Sequence, residues 1–275
     1  MTLWNTWLTL VNELESSCSR NRTFLWLVLV LIGFTIKTDF WGVTSLARAV
    51  DLSPNYYTCM LNFFHSNAVD VELLKQLWVK IVFKHFNGII RINGRCLIVG
   101  DGIKIGKEGK KMPSVKWLHQ DSESNSKAEY IMGHSIQALS LLVKKLSTTF
   151  AIPLTAEIHE GIKYNCRDKR TQLDKILELL ISLTLPELCY LVVDKYYCSG
   201  RLMKQLVSQG THIITMMKSN AVAYYPIKTT SKSGSKGRPK KYGEPIKLFT
   251  MFNGGLDFIK VAMPEKPNLI IEYAV

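Results

Sequence analysis

The first 85 residues carry apolar side chains in steps of three and four, the spacing of a helix with one buried face. The first such run has its apolar positions at Leu3, Trp7, Leu10, Val11 and Leu14. The last run has them at Val71, Leu74, Leu77, Trp78, Ile81 and Val82. The pattern therefore predicts a helical N-terminal region.

An uncharged run of 14 residues, Thr23 to Ile36, lies between these two helices. A helix needs about 20 apolar residues to cross a bilayer, and this run lacks the small-residue cleavage site of a secretory signal. We therefore expect a buried core helix and no membrane partner, with a membrane anchor as the alternative.

The segment from Val43 to Phe64 has the pattern of two short helices. Thr44 or Ser45 can cap the first, and Pro54 suits the first turn of a second helix that begins near Asn55. A short helix, a turn and a second helix form the helix-turn-helix arrangement that reads DNA. A plain helical bundle gives the same pattern, so both interpretations stay open.

From residue 95 the apolar pattern becomes that of strands. Three strands are predicted first, over residues 95–105, 134–144 and 150–162. The elements after them are helix 170–183, strand 187–197, helix 199–209 and strand 211–217. This order predicts a mixed sheet with flanking helices, an α/β or mixed α+β fold.

Residues 226–245 are rich in Lys, Ser, Gly and Pro, which predicts a loop or linker. Beyond it, three short apolar runs predict further strands, at residues 246–252, 257–263 and 268–275.

The composition adds a partner class to this picture. The 275 residues include 35 Lys and Arg against 22 Asp and Glu, a net charge of +13. Such an excess favours a polyanionic partner, either nucleic acid or an anionic membrane surface. The six cysteines form no C-x-x-C pair, which argues against a zinc module and against a compact disulfide framework.

The stretch LIVGDGIKIGKEGKK, Leu97 to Lys111, places a single carboxylate, Asp101, between an apolar run and alternating glycines and lysines. A nucleotide-binding loop fails on spacing, since Glu108 follows Gly106-Lys107 where a P-loop needs Ser or Thr. A hairpin turn at Asp101-Gly102 is one remaining interpretation. The other is a strand that brings a metal-binding carboxylate to a site for phosphate.

A second apolar run that ends in one aspartate, LVVD, favours the metal-site interpretation. If the strands before Asp101 and Asp194 are neighbours, the two carboxylates converge, and they are costly to ionise together without a cation. Carboxylate oxygens with phosphate oxygens suit Mg²⁺ or Mn²⁺, and metal ions so held drive phosphodiester chemistry.

The segment from Leu97 to Val143 resembles the first catalytic-aspartate region of cut-and-paste insertion-sequence transposases of the DDE type. Residues 42–66 are similar to the helical N-terminal region of the same proteins. The resemblance implies a ribonuclease-H-like catalytic domain that carries out metal-dependent DNA cleavage and strand transfer at insertion-sequence ends. It makes Asp101 the first catalytic acid and metal ligand, and Asp194 the second.

The implied organisation has three parts: a helical DNA-binding region at 1–90, a ribonuclease-H-like core at 91–225, and a basic linker with a partial β-rich insertion at 226–275. The implied partner is double-stranded DNA, both transposon ends and target, with a homodimer as a further expectation. The expected location is the cytoplasm of a prokaryote, at the nucleoid.

The third acid of that family is a glutamate in a Tyr-x-x-Arg-x-x-x-Glu helix after the second aspartate, and this motif does not occur here. The nearest spacing, Tyr164 and Arg167, has Thr171 in place of the glutamate and lies before Asp194. Glu272 lies in an apolar strand pattern and is a poor substitute. We expect a truncated transposase that does not cleave DNA alone; the alternative is a remnant that binds DNA or partner subunits.

Two groups of cations are candidates for contact with the DNA backbone. The first follows Asp101 and comprises Lys104, Lys107, Lys110 and Lys111. The second lies in KGRPKKYG, which is like the arms that enter the minor groove of A·T-rich DNA, and comprises Lys236, Arg238, Lys240 and Lys241. A solvated basic linker is the alternative for the second group.

Overall fold

The structure is a computed structural model that describes residues 2–39, 42–109, 112–119, 128–159, 170–218, 220–227, 241–251, 257–263 and 266–273. It divides into two compact units, residues 1–214 and 215–275. The first unit contains the predicted helical region and the predicted mixed sheet.

The predicted helical character of the N-terminal region is confirmed. Its helices are α1 (Leu3–Asn12), α2 (Asn21–Ile36), α3 (Val43–Ala49), α4 (Tyr57–His65) and α5 (Val71–His85). Helix α2 buries Leu27, Val30 and Gly33, while much of its remaining surface is partly exposed. Within the described ranges, no helix combines the length and the apolar character that a membrane crossing requires.

Helices α3 and α4 form the predicted pair, but the start of α3 differs from the expectation. The N-cap of α3 is Gly42, without a side-chain hydrogen bond. Ser45 is instead buried, and its hydroxyl donates to a carboxylate oxygen of Asp39. The capping prediction was wrong because tertiary burial gave Ser45 a stronger acceptor. The DNA-reading role of this pair stays a prediction.

The sheet of the first unit has the predicted mixed topology. Its strands are β1 (Arg91–Ile92), β2 (Arg95–Gly106), β3 (Lys116–His119), β4 (Tyr130–Lys145), β5 (Thr148–Ile158), β6 (Cys189–Val193) and β7 (His212–Thr215). Two helices, α6 (Gln172–Ser182) and α7 (Gly200–Ser208), connect β5 to β6 and β6 to β7. The fold class, a ribonuclease-H-like mixed sheet, is therefore confirmed.

Strand β2 lies between β4 and β6 in this sheet. It pairs antiparallel with β4 from Ile98 to Gly106, and parallel with β6 from Cys96 to Val99. Asp101 lies opposite Ala138, inside the antiparallel ladder. The hairpin interpretation of Asp101-Gly102 was wrong, because the long partner β4 keeps the chain extended through both residues.

The long partner strand β4 has a second edge, along which β3 and β5 lie end to end. Helix α5 covers part of β5: the indole N–H of Trp78 donates to the carbonyl of Pro153 at 2.8 Å. Lys75 of the same helix forms an ion pair with Glu157 at 3.3 Å. These contacts join the helical region to the sheet within one unit.

Helix α6 packs directly on the centre of the sheet. Its Ile176 is fully buried beside Ile98 of β2 and Leu191 of β6, which are also fully buried. Side chains of α6 and β6 approach β2 so closely that position 100 must be a glycine. A Cβ there would lie 2.9 Å from Ile176 Cδ1 and 3.0 Å from Val193 Cγ1. Gly100 thus sets the distance between α6 and the strands that lead to both aspartates.

The second unit contains β8 (Val222–Tyr224), β9 (Pro245–Lys247), a helical turn α8 (Leu248–Met251), β10 (Ile259–Met263) and β11 (Lys266–Tyr273). The strand predicted over residues 246–252 was wrong beyond Lys247. Pairing between β8 and β9 ends at Lys247, which lies opposite Val222, and the chain then turns into α8. In the hairpin of β10 and β11, Glu272 forms an ion pair with Lys260 at 2.9 Å.

Replacement of Gly100 by alanine should lower the free energy of unfolding by about 1–3 kcal/mol, the usual cost of overpacking a core. Urea denaturation measures the change. Gly106→Ala is the matched control, because position 106 is on the same strand and a Cβ there would meet no atom within 4 Å. Equal stability of the two variants would contradict the close packing of α6.

Burial raises the pKa of the Cys96 thiol from 9.0 to about 12, and the neighbouring Cys189 adds to the increase. In the unfolded chain this thiol ionises near pH 9, so its stabilising contribution is fully present below pH 9 and is lost as pH rises through 12. The stability advantage of the wild type over Cys96→Ala should therefore shrink from pH 8 to pH 11, measured by urea unfolding. A constant advantage would show that Cys96 is accessible to water.

Candidate active site

The parallel ladder of β2 and β6 leads to the two predicted acids. Its last paired positions are Val99 and Val192. Asp101 and Asp194 each follow two residues later, so equal steps along parallel strands bring both to the same end of the sheet. Most of the apolar residues before them are buried, whereas both aspartates are exposed to solvent.

Backbone N–H groups hold one oxygen of each carboxylate. The N–H of Gly102 donates to Asp101 Oδ1 at 2.7 Å. The N–H of Tyr196 donates to Asp194 Oδ1 at 3.0 Å, because Asp194 caps the short 3₁₀ turn Lys195–Tyr197. Each carboxylate is therefore oriented by the chain that directly follows it.

Both aspartates line one open cleft of about 630 Å³. The cleft is also lined by the N-terminus of α6 at Thr171 and Gln172, and by two residues of the turn after β6, Tyr196 and Tyr197. On the other side strand β3 supplies Lys116, Trp117, Leu118 and His119. The walls are polar and aromatic, a composition that suits a charged substrate.

Two lysines give the cleft a cationic side. Lys104 lines it, and its ammonium group donates to the carbonyl of His119 at 2.6 Å. The pKa of Lys116, another lining residue, is lowered by partial burial and then by the charge of Lys175 on α6. Two cationic side chains in one wall suit phosphate oxygens on this side of the cleft.

The other predicted DNA contacts lie elsewhere. Lys107 is exposed and is not among the residues that line the cleft. Lys241 is exposed in the second unit, with its ammonium group 5.6 Å from the ring centre of Tyr242. The remaining candidates, Lys110, Lys111, Lys236, Arg238 and Lys240, lie outside the described residues.

Several lining residues were not identified from the sequence as part of a site. His119 and His159 were taken for structural or surface groups, because no ligand spacing links them. Gln137 and Tyr197 are almost fully buried next to the cleft. The available indications were a glutamine inside an apolar strand and a tyrosine pair two residues after Asp194.

The described residues contain no group of three or more His, Cys, Asp or Glu side chains arranged to hold a metal ion. The cleft brings together two carboxylates, Asp101 and Asp194. Glu272, the poor substitute for a third acid, is held by Lys260 in the second unit.

Comparison with known proteins identifies the family. A comparison with curated proteins found no significant match. Among solved structures, the chain is similar to a piggyBac transposase in a cryo-EM synaptic complex with hairpin DNA, at 13% identity and a TM-score of 0.33. The alignment covers 84% of this chain and 52% of that one, so the chain spans about half the length of that transposase. Residues 13–250 match the family described as DDE superfamily endonuclease, and the chain therefore belongs to this family.

Proposed function

We propose that this protein is a transposase of the kind that cleaves DNA at insertion-sequence ends and joins the cleaved ends to target DNA, and that its described residues supply two of the three catalytic acids, Asp101 and Asp194. The observation that carries the proposal is the position of Asp101 and Asp194, each two residues beyond the last pair of the parallel ladder between β2 and β6 and both in one cleft. Family membership supports the endonuclease chemistry. The resemblance noted in the sequence supports strand transfer and a homodimer, which acts at the nucleoid of a prokaryotic cell.

The donor set of the cleft fits Mg²⁺ or Mn²⁺. Magnesium binds through one or two carboxylates and completes its octahedral shell with water and substrate phosphates. Asp101 and Asp194 would hold such ions, and each is already oriented by a backbone N–H. When bound, the ions would activate a water or DNA hydroxyl and stabilise the leaving oxygen.

The chain's own cations would position the DNA. Lys116 is a cation in the same cleft as both aspartates, so we assign it to a phosphate near the cleavage point. The lysines after Asp101 and those of residues 236–241 would contact the DNA backbone. The helical region at 1–90 would bind the transposon end.

The second candidate is a protein that binds DNA or partner subunits without cleaving DNA. It is favoured by one observation, that two carboxylates and not three meet in the described part of the cleft. The two candidates differ in a single measurable property, metal-dependent cleavage.

Asp101→Asn and Asp194→Asn should each reduce Mn²⁺-dependent nicking of plasmid DNA that carries the element's ends. Removal of a hydrogen-bond partner of a metal ligand already lowers metal affinity or activity about 10–100-fold. Removal of the ligand itself should therefore lower the nicking rate about 100-fold or more. Agarose gel assays of nicked product measure the rate.

Asp257→Asn is the matched control for the nicking assay, because Asp257 is exposed in the second unit and does not line the cleft. Nicking that survives both aspartate substitutions would contradict the catalytic assignment. Absence of nicking by the wild type, with DNA binding retained, would favour the second candidate.

Replacement of Lys236, Arg238 and Lys240 by alanine should weaken DNA binding and lower the dependence on salt. Each lost phosphate contact reduces the slope of log K against log salt by about 0.9, so three contacts reduce it by about 2.7. Fluorescence anisotropy at several salt concentrations measures both quantities. A control triple variant at Lys145, Lys204 and Lys218, which are exposed lysines outside the proposed DNA contacts, removes the same charge. An equal change in both variants would show that only the net charge matters.

A further inference from the structure

Tyr197 is a buried side chain that links the two strands leading to the aspartates. Its backbone belongs to the 3₁₀ turn capped by Asp194, and its N–H donates to the carbonyl of Asp194 at 3.2 Å. Its ring is only 2% exposed and belongs to the central core. Its hydroxyl oxygen would lie 3.6 Å from a Cβ placed on Gly102, the residue after Asp101. Tyr197 therefore bonds to the backbone of Asp194 and has its hydroxyl close to the residue after Asp101.

Gln137 anchors the hydroxyl of Tyr197 to the central strand β4. It lies directly opposite Gly102 in the ladder between β2 and β4, and it is 2% exposed. Its side-chain N–H₂ donates to Tyr197 Oη at 3.3 Å and to the carbonyl of Gln172 at 2.7 Å. One amide group thus connects the turn after Asp194 with the start of α6.

The amide of Gln137 has an energetic cost that an apolar side chain in the core would not have. Oε1 of Gln137 is buried and has no hydrogen-bond partner in the described part of the chain, and a buried polar atom without a partner costs about 1–3 kcal/mol. An apolar side chain at position 137 would remove this cost. The amide is therefore better explained by the groups it holds than by the stability it adds.

We infer that Tyr197, held by Gln137, is a positioning residue that fixes Asp101 and Asp194 relative to each other for a divalent cation. This inference rests on the proposed function, because it takes the two aspartates as the metal ligands. The tyrosine acts through the turn after Asp194 and through Gly102, and it does not itself bind the metal.

Mn²⁺ binding by the full chain, measured by isothermal titration calorimetry, tests this role without any DNA reaction. Tyr197→Phe keeps the ring and removes the bond to Gln137, so we expect Mn²⁺ to bind about 10-fold more weakly, the lower end for a partner that orients metal ligands. Gln137→Met keeps the side-chain length without the amide and should have the same effect. Thermal unfolding of each variant accompanies the titration.

Tyr190→Phe is the matched control, because it removes a hydroxyl from the same segment outside the cleft. Weaker Mn²⁺ binding by both test variants, with the control like the wild type and folding retained, would support the inference. If Asp101→Asn abolishes binding but Tyr197→Phe binds as tightly as the control, the inference is wrong and the metal site stands.

Two further outcomes would overturn the inference. If the wild type does not bind Mn²⁺, both the inference and the metal-dependent function fail. If Tyr197→Phe and Gln137→Met both lose the fold while Tyr190→Phe keeps it, the pair serves folding and not the aspartates.

Discussion

The parallel pairing of β2 with β6 is the contact on which the rest of the first unit depends. Parallel strands need burial on both faces, and helix α6 supplies one of the covers by packing onto Gly100, where only a glycine leaves room. This packing holds Cys96, Ile98 and Leu191 away from water. The same ladder determines which residues of β2 and β6 lie side by side where these strands leave the core.

The solvent-exposed end of this ladder carries the side chains that can take part in a reaction. Two carboxylates reach solvent there, each held by a neighbouring N–H, and a buried tyrosine and glutamine connect the segments behind them. Lysines on β2 and β3 balance the negative charge from the other side of the cleft. A buried apolar scaffold with a charged edge is the arrangement that the proposed function needs.

The elements that periodicity predicted best were those with long apolar runs and a fixed partner. Strands β2, β4 and β5 and helix α6 fall close to their predicted ranges. The strand predicted over residues 187–197 was too long, because β6 ends at Val193 and Lys195–Tyr197 form a 3₁₀ turn. The errors share one cause. Each local pattern was compatible with two conformations, and contacts with distant segments selected the one that was not predicted. Asp101-Gly102 could have turned but is held extended by β4, and Leu248–Met251 could have been a strand but follows the end of its pairing.

The sequence by itself determined the fold class, the excess of cations and the two apolar runs that end in Asp101 and Asp194, because these follow from composition and from local spacing. Only the tertiary structure decided that the two runs are neighbours, that β3 and the start of α6 complete the cleft, and that Gln137 and Tyr197 link its two aspartates. Those residues are distant along the chain, and pairing between distant segments depends on burial and register. Neither quantity can be read from a local pattern.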